Sequence, residues 1–190
     1  MAHERPRTRA DAPAEERTRM STTQTKFAAL RGGLSRRFVG RDDQVAAMLA
    51  ALAGHKHLLL LGEPGTAKSL LSRSLVESLQ GAVGFQWLLT KSSPPEEVLG
   101  PMSLAKLEHD RFERCTAGKL PEAHIGFLDE CFKANATVLN ALLSILNERL
   151  FANGAGMQTV PLLMLVGASN EVPTDPELNA LWDRFLVRFW

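Results

Sequence analysis

Leu58-Leu59-Leu60-Leu61-Gly62-Glu63-Pro64-Gly65-Thr66-Ala67-Lys68-Ser69 joins an apolar run to a glycine-bearing turn and then to a helical pattern. Four leucines bounded by His57 and Gly62 predict a short strand buried on both faces, as parallel strands are. A strand, a Gly-rich turn and a helix in this order form the context of a phosphate-binding loop. Glycines let successive backbone N–H groups turn toward one anion, and the helix N-terminus adds partial positive charge. Lys68 then reaches the outer phosphates and the Ser69 hydroxyl ligates Mg²⁺, with Leu70 continuing into the helix. Where the pattern G-x-x-x-x-G-K-[ST] wants Gly the chain has Ala67. An ordinary Gly/Pro turn entering a helix is the alternative reading.

Outward from this stretch, Val45, Met48, Leu49 and Leu52 recur at helical spacing, with Asp42 or Asp43 as N-cap candidates and Gly54 as a stop. Helical patterns also cover about Lys68 to Leu79 and Asn135 to Leu150. Further buried strands are predicted at Phe85 to Leu89, Ile125 to Leu128 and Leu162 to Val166. Strands alternating with helices imply an α/β fold with a parallel sheet. Two stretches break the alternation. A long connection from Lys91 to Ala123 carries a candidate hairpin, Leu104 to Leu107 against Arg111 to Arg114, and Asn153-Gly154 signals a second hairpin flanked by Phe151 and Met157.

Two more strand ends bear chemistry. Ile125-Gly126-Phe127-Leu128 runs into Asp129-Glu130, so Asp129 is placed to hold Mg²⁺ through water and Glu130 to activate an attacking water. Taken alone, the pair reads equally well as an acidic N-cap. The strand Leu162 to Val166 leads to Asn170, whose amide would touch the γ-phosphate and the water if this strand lies between the other two; an Asx turn is the alternative. Arg184 and Arg188 lie near the end and are candidates for stabilising transition-state charge from a neighbouring subunit, against a surface ion pair as the commoner role.

The chain has 190 residues, a net charge of +1, 45% apolar and 23% charged side chains. These values fit a globular domain plus an appendage. Residues 1–26, with six Lys+Arg, four Asp+Glu and two prolines, read as a disordered extension, and 27–190 as the folded core; Met20 is an alternative start. No apolar run approaches the length of a membrane span, and Met1 to Met20 lack the apolar stretch of a secretory signal. Cys115 and Cys131 are too few for a disulfide framework and lack zinc spacing, so a cytoplasmic location is expected. A nearly neutral chain gives no support for coating nucleic acid. His55 and His57 are expected at the solvated entry to the first strand, and Cys131 as a small packed residue.

The motifs taken together resemble the MoxR-type AAA+ ATPases, nearest to the branch called regulatory ATPase variant A (RavA). The resemblance rests on GEPGTAKS (Gly62 to Ser69), SSPPEEVLGPMS (Ser92 to Ser103), GKLPEAHIGFLDECFKAN (Gly118 to Asn135), LNALLSILNERLFANG (Leu139 to Gly154), LVGASNEVP (Leu165 to Pro173) and LWDRFLVRFW (Leu181 to Trp190), in the family's order. It implies a P-loop core with a five-stranded parallel sheet in the order 5-1-4-3-2 between helices, and a nucleotide-dependent homo-oligomer, typically a hexameric ring. ATP and Mg²⁺ are the implied cofactors, held by Gly62, Glu63, Pro64, Gly65, Thr66, Ala67, Lys68, Ser69 and Leu70, with Ser69 and Asp129 on the metal. Glu130 corresponds to the catalytic base, Asn170 to sensor 1, and Arg184 to the arginine finger with Arg188 in reserve. The segment around Leu104 to Arg114 looks like the helix-2 insert and the Asn153-Gly154 hairpin like the pre-sensor insertion. A protein of the von Willebrand factor A type is an implied partner. Against the family's pattern, the helical lid with its sensor 2 arginine is expected to be absent from the 190 residues, which end at Phe189-Trp190. The implied function is Mg-ATP hydrolysis driving chaperone-like remodelling or assembly of protein complexes. A non-hydrolysing nucleotide-binding module is the alternative.

Overall fold

The computed structural model describes residues 14–63 and 65–190, with side chains from residue 22 onward. Five strands form one parallel sheet: β1 (Leu58–Leu61), β2 (Gly84–Leu88), β3 (Ile125–Asp129), β6 (Met164–Ser169) and β7 (Val187–Phe189). They lie in the order β2-β3-β6-β1-β7. Counted in chain order within this sheet, that is 5-1-4-3-2, the expected topology. A separate antiparallel pair, β4 (Leu150–Asn153) and β5 (Gly156–Thr159), stands apart.

The leucine run shows why the sheet is covered on both sides. Leu59 and Leu61 point into a core shared with α4 (Pro95–Leu99), α6 (Ala136–Glu148) and α7 (Asn179–Trp182). Leu58 and Leu60 point into the opposite core, shared with α1 (Ala14–Arg37), α2 (Asp42–Ala53) and α3 (Lys68–Glu77). All four leucines are buried. Side chains alternate across a strand, so a strand between two helical layers has no polar face. Each buried leucine contributes about 1.5–3 kcal/mol relative to exposure.

Helix α1 begins inside the segment read as a disordered extension, which differs from expectation over residues 14–26; residues 1–13 lie outside the described residues. Ala14-Glu15-Glu16 is a favourable helix start, and at the other end Leu34 and Phe38 are buried in the second core while Arg37 pairs with Glu77 of α3 at 3.2 Å. The strand expected over Leu162 to Val166 runs over Met164–Ser169, beginning two residues later and ending three later, with its pairing to β3 starting at Ile125↔Met164. Among the described residues, no helix is long and apolar enough to cross a membrane.

The two irregular stretches meet. Leu104–Leu107 forms one helical turn, α5, rather than a hairpin strand, because the Ser103 hydroxyl accepts the Lys106 N–H and caps the turn. Arg114, at the end of the expected return strand, instead bridges Met102, which lies before the expected hairpin. The second hairpin forms, but its two-residue loop is Gly154 (φ 67) and Ala155, one residue later than the expected Asn153-Gly154, because Asn153 still pairs with Gly156. The Asn153 carboxamide then acts like an adjoining strand: its Oδ1 accepts the Arg114 N–H at 2.6 Å and its Nδ2 donates to the Arg114 carbonyl at 3.3 Å.

Candidate functional site

β3, β6 and β1 are neighbours and parallel, so their C-terminal ends share one edge of the sheet. The segments that follow them are Glu130, Asn170 and the loop Gly62 to Ser69. Gly62 and Gly65 have φ of 144° and 79°, and a Cβ at either would meet nothing within 4 Å. The loop is thus both conformationally glycine-dependent and open beside its backbone, as an anion cradle requires. Ala67 adopts the left-handed conformation (φ 61°, ψ 20°) immediately before α3. Pro64 lies outside the described residues.

Lys68 folds back over its own loop. Its Nζ donates to the carbonyls of Gly62 (2.8 Å) and Glu63 (2.9 Å) and approaches the Thr66 hydroxyl at 3.4 Å, while Thr66 donates to the Glu63 carbonyl at 2.9 Å. Ser69 is half-buried in the first turn of α3, and Leu70, on the same turn, is 42% exposed.

Asp129 closes β3 in register with Leu88, and its Oδ1 accepts the Glu130 N–H at 3.1 Å. Glu130 is left-handed (φ 52°) and opens the 3-10 turn Cys131–Lys133. Its carboxylate pairs with Lys133 at 3.2 Å, with 16% of the Glu130 side chain exposed. Burial pushes the Cys131 thiol well above its ordinary value, so it behaves as a packed apolar group. Asn170 is exposed directly beyond β6. Hard oxygen donors of the Ser69 and Asp129 kind suit Mg²⁺.

A cavity of about 390 Å³ opens on the α6 side of this edge. Lys91, Glu130, Lys133, Asn135, Glu171 and Asp175 line it, and its described lining includes no residue of the phosphate loop. Asn135 caps α6 by accepting the Val138 N–H and also donates to the Ser93 carbonyl.

The two arginines lie elsewhere. β7 starts beside Leu58, the first residue of β1, so Arg184, three residues earlier, sits toward the opposite end of the sheet from the strand tips. Arg184 is exposed, with no side-chain hydrogen bond or ion pair among the described residues. Arg188 is engaged within its own chain: its guanidinium lies 4.3 Å over the Trp182 ring, donates to the Trp182 carbonyl and stands 3.9 Å from Asp183.

Sequence reasoning missed Lys133 and Asn135 and misplaced His57. Lys133 carried a usable signal, its spacing of three from Glu130 across a turn. His57 is buried rather than solvated: Nδ1 accepts the Leu165 N–H at 3.0 Å, which leaves the proton on Nε2 to donate to the Leu146 carbonyl at 3.2 Å. Burial first, then the charge of Arg149 at 2.8 Å, lowers its pKa to about 4.

Residues 25–190 match a family described as the MoxR domain in the MoxR-vWA-beta-propeller ternary systems. An uncharacterized protein of Methanocaldococcus jannaschii is 44% identical over 170 residues, 89% of this chain and 44% of that protein. Chaperone MoxR1 of Mycobacterium tuberculosis is 30% identical over 164 residues, 82% of this chain and 41% of that protein. The chain spans less than half the length of these curated relatives. A solved structure of a candidate ATPase from Cytophaga hutchinsonii superposes with a TM-score of 0.66 at 20% identity, covering 90% of this chain and 55% of that one.

Proposed function

This chain belongs to the MoxR family of AAA+ ATPases, and on that premise we propose that it binds Mg-ATP at the tips of β1, β3 and β6 and hydrolyses it to drive remodelling or assembly of protein complexes. The observation that supports the reading is the adjacency of those three tips, since the segments carrying Lys68, Asp129, Glu130 and Asn170 all leave the sheet from the same edge. Within the family, the RavA branch is our reading of its position, carried by the sequence blocks quoted above.

In this mechanism the backbone N–H groups of Gly65 to Ser69 at the start of α3 hold the phosphates, and Lys68 exchanges its loop carbonyls for phosphate oxygens. Ser69 and Asp129 would hold Mg²⁺, which would supply charge neutralisation at the outer phosphates. Glu130 orients the attacking water and draws its proton, and Asn170 faces the terminal phosphate beside it. Arg184, exposed and remote from its own strand tips, suits donation to the site of a neighbouring copy in a ring. The family description names von Willebrand factor A and beta-propeller proteins, and a partner of the former type is part of the proposal.

The deciding experiment is Glu130→Gln: ATP binding persists and phosphate release stops, whereas undiminished turnover refutes the role of Glu130. A non-hydrolysing nucleotide-binding module is the second reading, favoured by the engagement of both Lys68 and Glu130 within the chain. Phosphate release from the chain, with and without an added lid region, separates the two.

A further inference from the structure

We infer that Lys133 is a positioning residue that holds the Glu130 carboxylate on the α6 side of the sheet, away from the phosphate loop, and thereby restrains hydrolysis. The inference rests on the proposed role of Glu130 as the base.

Three observations carry it. First, the backbone of Glu130 is fixed. Its φ is 52°, its N–H is taken by Asp129 Oδ1 and its carbonyl accepts the Lys133 N–H at 2.8 Å, so only the side chain is left to choose a direction. Second, the turn from Cys131 to Lys133 is a 3-10 turn, in which residues three apart stand over one another. That geometry delivers the ammonium to the carboxylate at 3.2 Å. Third, both groups line the cavity beside Ala136 and Leu139 of α6. The phosphate loop instead opens α3, which packs against the opposite face of the sheet. Lys91 lines the same cavity, as do the acids Glu171, Asp175 and Glu177, and Lys133 is the cation that the structure pairs with Glu130.

A base must face its water, so the carboxylate has to leave Lys133 before it acts. With 42% of the lysine side chain and 16% of the glutamate exposed, the pair is only partly shielded from solvent. An ion pair of this kind shifts an equilibrium by about two- to fivefold, which suits a restraint rather than a block.

The test compares the full chain with Lys133→Met, which keeps the length and removes the charge, and with Lys133→Arg, which keeps the charge. ATP binding and steady-state hydrolysis are measured for each, at low and high salt. Lys133→Met is expected to raise kcat about two- to fivefold at unchanged ATP affinity, with Lys133→Arg at the wild-type rate. High salt, where the screening length falls from about 10 Å toward about 3 Å, should narrow the gap by raising wild type toward the variant. A Lys133→Met rate equal to or below wild type, with ATP still bound, overturns the restraint and leaves the nucleotide site standing. Failure of wild type and variant alike to bind ATP overturns the site and the restraint together.

Discussion

The Gly62 N–H donates to the Ser169 carbonyl at 3.1 Å, tying the first residue of the phosphate loop to the last residue of β6. Leu61 and Ser169 are partners in the parallel ladder, so this bond extends the pairing one step into the loop. The start of the cradle and the base of Asn170 are thereby held in fixed register.

Lys68→Ala should weaken ATP binding by at least about tenfold, a loss of roughly 1.4 kcal/mol or more. Among the described residues the ammonium's hydrogen bonds are to loop atoms alone, so the melting temperature should change little. Calorimetric titration with Mg-ATP and a thermal melt check both parts.

His57 predicts a pH-dependent stability. Its folded-state pKa is about 4 against an ordinary 6.5, so between those values the unfolded chain takes up a proton that the folded chain refuses. Its contribution is therefore complete above pH 6.5 and is lost as pH falls toward 4, about 3 kcal/mol in all. Denaturant titrations across this range should show the slope, and His57→Gln should flatten it while lowering stability at pH 7.

Gly167→Ala should destabilise the core by about 1–3 kcal/mol. A Cβ on Gly167 would lie 2.7 Å from the Phe185 ring and 3.0 Å from Cys131 Sγ, both fully buried. Phe185 also meets Phe132 edge-on at 6.5 Å, so the ring has a packed neighbour opposing its retreat. Chemical denaturation measures the loss.

Asn153→Ala should cost about 1–2 kcal/mol by leaving the Arg114 N–H and carbonyl without their partner. Limited proteolysis should then cut faster between residues 104 and 113, since the return arm of that segment loses its tie to the β4–β5 hairpin.

The sheet was legible where local chemistry and tertiary demand agree. The four leucines read as a doubly covered strand and form one, and β3 ends at Asp129 as the acids after Leu128 suggested. The expected hairpin at Leu104 failed because Ser103 offers a cap, a side-chain effect that outweighs apolar spacing over so short a stretch. His57 was misjudged because its partners, Leu146, Arg149 and Leu165, come from a helix and strand about ninety or more residues away. Lys133 was passed over because its charge is meaningful only once Glu130 is known to be left-handed and to begin a tight turn.

Both neighbours of β1 come from the final part of the chain, β6 and β7. During translation the Leu58–Leu61 segment therefore leaves the ribosome long before anything can pair with its backbone. At about 5–20 residues per second, the wait lasts several seconds or more, with helices α2 and α3 offering cover on one side only. Nascent chains stalled before Met164 should accordingly depend on holding chaperones far more than chains stalled after Phe189 has emerged.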